Sequence, residues 1–396
     1  MTGPEEYRAR LRAWFAAEIG DRDPDTVPPE ERVRLARSLY DAGLAFVTWP
    51  AAYGGQGLGA DFQTVFNEEA ARYATAFPPA AVTVGICAAT LLDFGTEAQK
   101  TRWIPAMLRG DAAWTQLLSE PGAGSDLGSV ATRAEPDGDH WVVNGQKVWT
   151  SGAREADYAL ALVRTDLDRP KYEGVSMLVV DLRAPGVDIR PLREMTGEAL
   201  FNEVFLDGVR VPRDAVVGEV NGGWPVLTRM LHHERMALSA GTTGGRMDRD
   251  AFPELVALAR AHGRLADAGV RAALAEVYIQ TRLLDLLGRR MRAAAQAGRH
   301  LGPVGSIGKI ATARSARLSA EAGMLIAGLA GQAWEPGDTR AADTARQLLF
   351  FPMTGIAGGT TEIQKNIVAE RVLGLPREPR PDRDLPFRLS AVDRVG

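Results

Sequence analysis

Apolar residues recur at spacings of three and four over Glu5–Ile19 and Glu30–Ala42, the period of a helix with one buried stripe. Pro28 and Pro29 stand where a helix can begin, because proline loses no needed donor in a first turn. Tyr53-Gly54-Gly55-Gln56-Gly57 interrupts the pattern as a loop, and helical texture returns over Asp61–Tyr73, Thr83–Leu92 and Glu97–Leu108. Near Trp114 the period changes to that of strands. Trp141-Val142-Val143 and Lys147-Val148-Trp149 flank Asn144-Gly145, a pair that accepts positive φ and predicts a two-residue hairpin turn. Further β-rich runs follow at Tyr158–Val163, Val175–Val180, Val204–Leu206 and Val209–Val211. Asn221-Gly222-Gly223-Trp224-Pro225 opens a second helical region, with Pro225 in a first turn. Ala- and Leu-rich stretches then run over Phe252–Ala297, Pro303–Ala330 and Thr339–Phe351, lengths that suit an antiparallel bundle. After Leu375, four prolines (Pro376, Pro379, Pro381, Pro386) discourage any long helix.

This pattern predicts an α+β chain: an N-terminal α domain over 1–114, a middle β-barrel-like domain over 115–220, a C-terminal four-helix bundle over 221–376, and a proline-rich tail over 377–396. Composition narrows the partners. The 396 residues are 45% hydrophobic and 24% charged with a net charge of −4, so no basic stripe favours nucleic acid. No run of about 18 apolar residues could span a bilayer, and Glu5, Glu6, Arg8, Arg10 and Arg12 leave no apolar leader, so the expected location is cytoplasmic. Cys87 is the single cysteine, which excludes an intramolecular disulfide and a cysteine metal cluster; it reads as a small buried hydrophobe. His232 and His233 point about 100° apart on a helix, so they cannot both face one ion, and no metal site is expected.

Ser119-Glu120-Pro121-Gly122-Ala123-Gly124-Ser125-Asp126 is a glycine-rich turn with hydroxyls, able to offer N–H and O–H donors to an electron-rich ring oxygen. Together with Asn144–Ser151, Gly358-Gly359-Thr360-Thr361-Glu362-Ile363-Gln364-Lys365-Asn366 and Ala369–Pro376, it resembles the acyl-CoA dehydrogenase family, motif after motif and in order. The resemblance implies FAD held by Gln116, Leu118, Ser119, Gly124, Ser125, Trp149, Thr150, Ser151, Thr360 and Glu362. It also implies substrate contacts from Ser125, Arg235 and Gly359. Many relatives carry a catalytic glutamate just before the Gly-Thr of the C-terminal loop; here that position is Gly358, which cannot take a proton. Branched-chain and long-chain relatives place it on the first helix after the β domain, before an arginine, as in Glu234-Arg235.

The pattern points to Glu234 as well. Leu227, Leu231, Glu234 and Leu238 share one helical face, and a carboxylate on an apolar stripe is costly without a use or a partner. The expected reaction is α,β-dehydrogenation of an acyl thioester to a trans-2-enoyl thioester, with Glu234 taking the α-proton and the flavin the β-hydride. The resemblance further implies an electron-transferring flavoprotein as acceptor and a homodimer or homotetramer. Three alternatives keep the fold: a dehydrogenase of acyl-carrier-protein thioesters, a flavin oxidase or monooxygenase, and a flavin-poor subunit of a heteromeric dehydrogenase. The last is motivated by the poor match at Arg260–Gly263, where relatives reach the adenine end of FAD. Gly302–Lys309 and Gly328-Leu329 resemble a bacterial subgroup that handles bulky or functionalised acyl groups.

Overall fold

A computed structural model describes residues 3–239, 251–297, 303–333, 337, 339–379 and 383–390. The chain divides into two compact units, the first comprising Met1–Leu192, Leu200–Gly244 and Pro381–Gly396, the second Arg193–Ala199 and Gly245–Arg380.

The first unit begins with α1 (Pro4–Glu18), α2 (Pro29–Asp41) and α3 (Ala60–Ala70), where the sequence period predicts helices. Helix α1 buries Tyr7, Leu11 and Phe15, one residue per turn, against Leu35, Leu39, Phe62 and Tyr73. Phe15 and Tyr73 stack at 4.2 Å between ring centroids. Next come a π-helical turn over Ala81–Ala88, α4 (Ala89–Phe94) and α5 (Glu97–Arg109). Thr96 and Gln99 form a reciprocal capping box that starts α5, and Gly110 at φ +81° ends it. Gln99 also donates to the carbonyls of Asp214 (2.7 Å) and Val216 (2.8 Å), tying α5 to the sheet.

The sheet contains β1 (Trp114–Leu117), β2 (Arg133–Asp137), β3 (His140–Ser151), β4 (Tyr158–Arg164), β5 (Val175–Asp181), β6 (Val187–Leu192), β7 (Phe201–Pro212) and β8 (Val216–Val217). Its order is β6-β7-β3-β2-β4-β5-β8, with β1 parallel to β4. Strands β4 and β5 pair antiparallel from Tyr158↔Asp181 to Arg164↔Val175 and are buried almost throughout, so they read as continuous apolar runs. The hairpin expected at Asn144-Gly145 does not form there. β3 passes straight through this pair, which makes a bulge against β7, while the turn lies between Asp137 and His140. Gly145 is needed for closeness: a Cβ there would lie 2.4 Å from Thr132 Oγ1. Likewise Val204–Leu206 and Val209–Val211 are one strand, β7, carried through the bulge by Gly208 at φ +63°.

α6 (Gly223–Ser239) leaves this sheet at the predicted point. Asn221 fixes its start: the backbone N–H donates to Ser176 Oγ (2.8 Å), and Oδ1 accepts from Thr165 Oγ1 (2.6 Å). A Cβ on Gly223 would lie 2.7 Å from the Ser176 backbone, so glycine lets the helix start against β5.

The second unit holds α7 (Ala251–Ala261), α8 (Ala268–Gln296), α9 (Val304–Ala327), the short α10 (Leu329–Gln332), α11 (Thr339–Thr354) and α12 (Thr361–Arg371). The stretch expected as one helical run, Phe252–Ala297, is two helices, broken where Gly263 takes φ +66° and Arg264 pairs with Asp267. Leu255, Ala259, Val270, Leu274, Val277, Ala322 and Ile326 form the bundle core. The proline-rich tail ends in a single short helix of the first unit, α13 (Phe387–Ser390). Gly302, the first residue of the Gly302–Lys309 stretch, lies outside the described residues.

Candidate active site

Strand β1 delivers Gln116 and then runs into Leu118, Ser119 and the glycine turn. Two bonds hold this strand beside β3: Val148 N–H donates to Ser119 O (2.9 Å), and Thr115 Oγ1 donates to Ser151 O (2.7 Å). Gln116, Leu118, Ser119, Trp149, Thr150 and Ser151 are thereby brought together. The turn itself closes on reciprocal backbone bonds between Glu120 and Ala123 and leaves Gly124 and Ser125 exposed.

A second irregularity in the β3–β7 pairing lies between Lys147 and Thr150 and puts Trp149 at φ +60°, a strained conformation for an aromatic residue. The bulge turns its indole outward, 60% exposed, with Phe201 edge-on at 5.9 Å. Thr150 Oγ1 and Asn202 Oδ1 are buried without a hydrogen-bond partner, although Asn202 Nδ2 donates to Thr150 O (3.0 Å). Such orphaned atoms are expensive to bury. A Cβ on Gly122 or Gly124 would meet nothing within 4 Å. An exposed indole face, an orphaned hydroxyl and amide oxygen, and open turn backbone fit a planar heteroaromatic ring with hydrogen-bonding edges.

Glu234 comes to this neighbourhood on α6, half-buried, one helical turn after the fully buried Met230. Gln116 Nε2 donates to Glu234 Oε2 at 3.1 Å. From the other side the π-helical turn contributes Cys87, fully buried, with Sγ 3.4 Å from Thr115 O. Burial pushes the Cys87 thiol up, and the Glu234 carboxylate adds to this, so the thiol is not a nucleophile at neutral pH. Arg235, the next residue on α6, is half-buried. Of the face predicted to carry Glu234, Leu227 is fully buried and Leu231 partly packed on the core; the side chain of Leu238 lies outside the described residues. His233 points elsewhere: its Nε2 is 2.9 Å from Asp93 Oδ2 on α4, which also accepts from Arg229 Nε (2.6 Å).

Gly359, Thr360 and Glu362 belong to the second unit. Gly358 and Gly359 take φ +67° and +88°, and Thr360 caps α12 by accepting from Ile363 N–H (3.2 Å). Gln364, 1% exposed, donates to the carbonyls of Gly358 (3.1 Å) and Gly359 (3.4 Å). Glu362 lies exposed in the first turn of α12.

Sequence reasoning passed over the groups that hold these loops. Lys147, 0% exposed, donates to Leu118 O (3.0 Å), Leu162 O (2.6 Å) and Glu120 Oε1 (2.8 Å). Glu120 accepts in addition from the backbone N–H groups of Ala131 (2.6 Å) and Thr132 (3.0 Å). Burial pushes the Glu120 carboxyl upward, but the Lys147 ammonium and these donors outweigh it and hold it below the usual range. Burial lowers Lys147, against the opposing pull of Glu120. Arg164, also buried, gathers the carbonyls of Gly128, Val130 and Lys171 and packs on the Phe387 ring of α13 at 3.8 Å.

The sequence matches known proteins over the same span. Residues 4–111, 115–209 and 221–373 match the acyl-CoA dehydrogenase N-terminal, middle and C-terminal domains. The acyl-CoA dehydrogenase FadE34 of Mycobacterium tuberculosis is 39% identical over 93% of this chain, and the chain spans about half of that relative, 49%. The acyl-CoA dehydrogenase IpdE1 of the same organism is 37% identical over 96% of this chain and 100% of its own length. Among solved structures, the Tcur3481–Tcur3483 steroid acyl-CoA dehydrogenase is similar with a TM-score of 0.77 at 34% identity, covering 95% of this chain and 98% of that one. The ChsE4–ChsE5 complex of Mycobacterium tuberculosis gives 0.74 at 31% identity, covering 96% and 99%. The chain belongs to the acyl-CoA dehydrogenase family of flavoprotein oxidoreductases.

Proposed function

We propose that this chain dehydrogenates an acyl-CoA thioester between its α and β carbons, with Glu234 as the general base. The observation that carries the reading is the half-buried Glu234 carboxylate, hydrogen-bonded to the strand that feeds the Ser119–Ser125 turn. Ser119, Gly124 and Ser125, with Leu118 and Gln116, hold one edge of FAD; Trp149, Thr150 and Ser151 pack on and hydrogen-bond its ring. Thr360 and Glu362, in the second unit, are the further cofactor contacts that the family resemblance implies. FAD supplies a two-electron acceptor for the β-hydride. Glu234 takes the α-proton, and the Gln116 amide donates to one of its oxygens. Ser125 and Arg235 bind and orient the thioester; the Gly359 N–H, in the second unit, is the further thioester contact that the family resemblance implies. The product is a trans-2-enoyl thioester, and an electron-transferring flavoprotein takes the electrons onward.

The acyl group we assign is bulky and ring-bearing, since a neighbour at 34% identity is a steroid acyl-CoA dehydrogenase. That neighbour and the ChsE4–ChsE5 complex are both named for two chains, which supports a heteromeric assembly over the homodimer or homotetramer the sequence suggests. In the second unit, Ile279, Leu283 and Leu286 expose an apolar face of α8, 54–59% accessible, that supports assembly through the bundle.

Anaerobic flavin bleaching by a panel of ring-bearing and straight-chain acyl thioesters tests the reading. Glu234→Gln keeps shape and removes the base, so flavin reduction is expected to fall about 10² to 10⁴-fold with FAD content unchanged. Reduction within threefold of the parent, at the ~0.7 kcal/mol level, would remove Glu234 as the base. Rapid reoxidation of the reduced protein by air would instead favour an oxidase.

A further inference from the structure

We infer that Asn202 is a positioning residue for the cofactor site: its amide donor holds the Trp149 bulge in the conformation that turns the indole outward. The inference rests on the assignment of Trp149 to the flavin ring above and extends it to a residue to which the motif resemblance assigns nothing.

A left-handed backbone is costly for a bulky residue and persists only where its surroundings impose it. Trp149 takes φ +60°, so the chain on each side of it must be held. Before it, Val148 N–H donates to Ser119 O (2.9 Å), and Lys147 is enclosed among Leu118 O, Leu162 O and Glu120. After it, the ladder is interrupted. The register runs from Lys147↔Val204 to Thr150↔Asn202, so two residues of β3 face one of β7. Beside this gap a side chain supplies a bond: Asn202 Nδ2 donates to Thr150 O at 3.0 Å. The amide therefore fixes the residue that follows Trp149.

The setting of Asn202 supports this use. Burial alternates along β7, and Asn202 stands in the buried row with Val204 and Leu206. An amide in an apolar row is costly unless one of its hydrogen bonds is needed. Its backbone is paired on both sides, opposite Thr150 on β3 and Pro191 on β6, so the amide is presented from a rigid strand. The preceding residue, Phe201, meets the indole edge-on at 5.9 Å. Two neighbouring residues of β7 thus address the bulge, one through its ring and one through its amide.

FAD titration of the full-length protein, stripped of cofactor and followed by flavin fluorescence, tests this. Asn202→Leu removes the donor at similar volume and should weaken FAD binding about five- to tenfold, as for one lost hydrogen bond; a loss under about twofold overturns the proposal. Asn202→Asp keeps Oδ1 but sets an acceptor against Thr150 O, so it should lose at least as much. Affinity kept by the Asp variant and lost by the Leu variant would mean that Oδ1 serves the cofactor directly, which also overturns it. In a Trp149→Ala background, Asn202→Leu should change affinity by less than about twofold, because its route of action is gone; full additivity overturns the proposal. The Trp149 share of the fluorescence, taken as the difference from Trp149→Phe, should lose anisotropy in Asn202→Leu before FAD is added. A merely structural amide would lower the unfolding temperature and leave that signal and the FAD affinity unchanged. If the Leu variant does not fold, Asn202→Val, a β-branched residue suited to a strand, takes its place. Trp149→Ala alone separates the two levels. If it leaves FAD affinity unchanged, the assignment of Trp149 to the flavin fails and takes this inference with it. If it weakens binding while Asn202→Leu does not, this inference alone falls.

Discussion

Each unit contains a glycine loop picked out by its motif, and the two are fixed in opposite ways. In the first unit the turn after Leu118 is held by an ionised pair, Lys147 and Glu120, at 0% and 8% exposure. In the second, the Gly358-Gly359 loop is held by the neutral amide of Gln364, which collects both glycine carbonyls. An ion pair removed from water is stable only while it is complete, because either charge left alone bears its whole desolvation cost. The carbonyls of the half-buried Gly358 and Gly359 can be rehydrated if they lose that amide. The first loop is therefore rigid and intolerant, the second more easily loosened.

The largest expected effect breaks the first anchor. Lys147→Met leaves Glu120 buried without its ammonium and should destabilise the first unit by about 3 to 5 kcal/mol. Thermal unfolding followed by tryptophan fluorescence measures it. Adding Glu120→Leu to that variant should recover much of the loss, since an apolar pair of similar volume no longer buries a charge. A single variant as stable as the parent would mean that the pair is not ionised in the fold.

Sequence reading found both loops and missed both anchors, for different reasons. Trp141, Val143 and Lys147 are buried on one face of β3 by simple alternation, with Gly145 between them. Reading Asn144-Gly145 as a turn cut that strand in two and hid an inward-facing lysine. The pair is a good turn former, but Gly145 is placed where the backbone must approach Thr132, and only the neighbouring strand reveals that. Local turn chemistry lost to tertiary pairing. Gln364 carried no such signal, because the first turn of a helix gives no indication of which side faces inward. The apolar stripes, by contrast, were legible: Leu11 and Phe15, or Leu227, sit where the period of 3.6 places them. Glu234 was readable as a carboxylate on that stripe, while its contact with Gln116 spans 118 residues of sequence and was not.

A smaller effect is expected at the second anchor. Gln364→Leu keeps the buried volume and removes the donor to the two carbonyls, so it should cost about 1 kcal/mol, the worth of an ordinary hydrogen bond. Hydrogen exchange should rise at Gly359 to Ile363 more than in the core of α9. If the loss instead matches that of Lys147→Met, the neutral anchor is as intolerant as the ionised one and the contrast between the loops disappears.

The smallest effect sharpens the contrast with an ionic anchor whose carboxylate is 15% exposed but whose Arg12 partner is 64% exposed, unlike the wholly enclosed Lys147. Glu69 on α3 accepts from Arg8 (2.6 Å) and Arg12 (2.8 and 2.7 Å) on α1, which makes it as well hydrogen-bonded as Glu120. Hydrogen bonds from Arg12, and then Arg8, pull its carboxyl from 4.5 down to about 2. A carboxyl whose pKa is lower in the folded state stabilises the fold above its unfolded value, and that stabilisation is lost as pH falls toward the folded value. The window is therefore pH 4.5 down to about 2. Solvent reaches the cluster through Arg12, 64% exposed, and screening there keeps its net worth within about 1 kcal/mol, far below what the shift alone suggests. Glu69→Gln should thus lower stability by no more than about that amount at pH 7 and by less near pH 3, where the parent has begun to lose the same interaction. Added salt should shrink the difference at pH 7, as it cannot for Lys147 and Glu120. Denaturant unfolding at both pH values and two salt concentrations measures it. A Glu69→Gln loss as large as that of Lys147→Met, and insensitive to salt, would mean that burial is not what separates the two kinds of anchor.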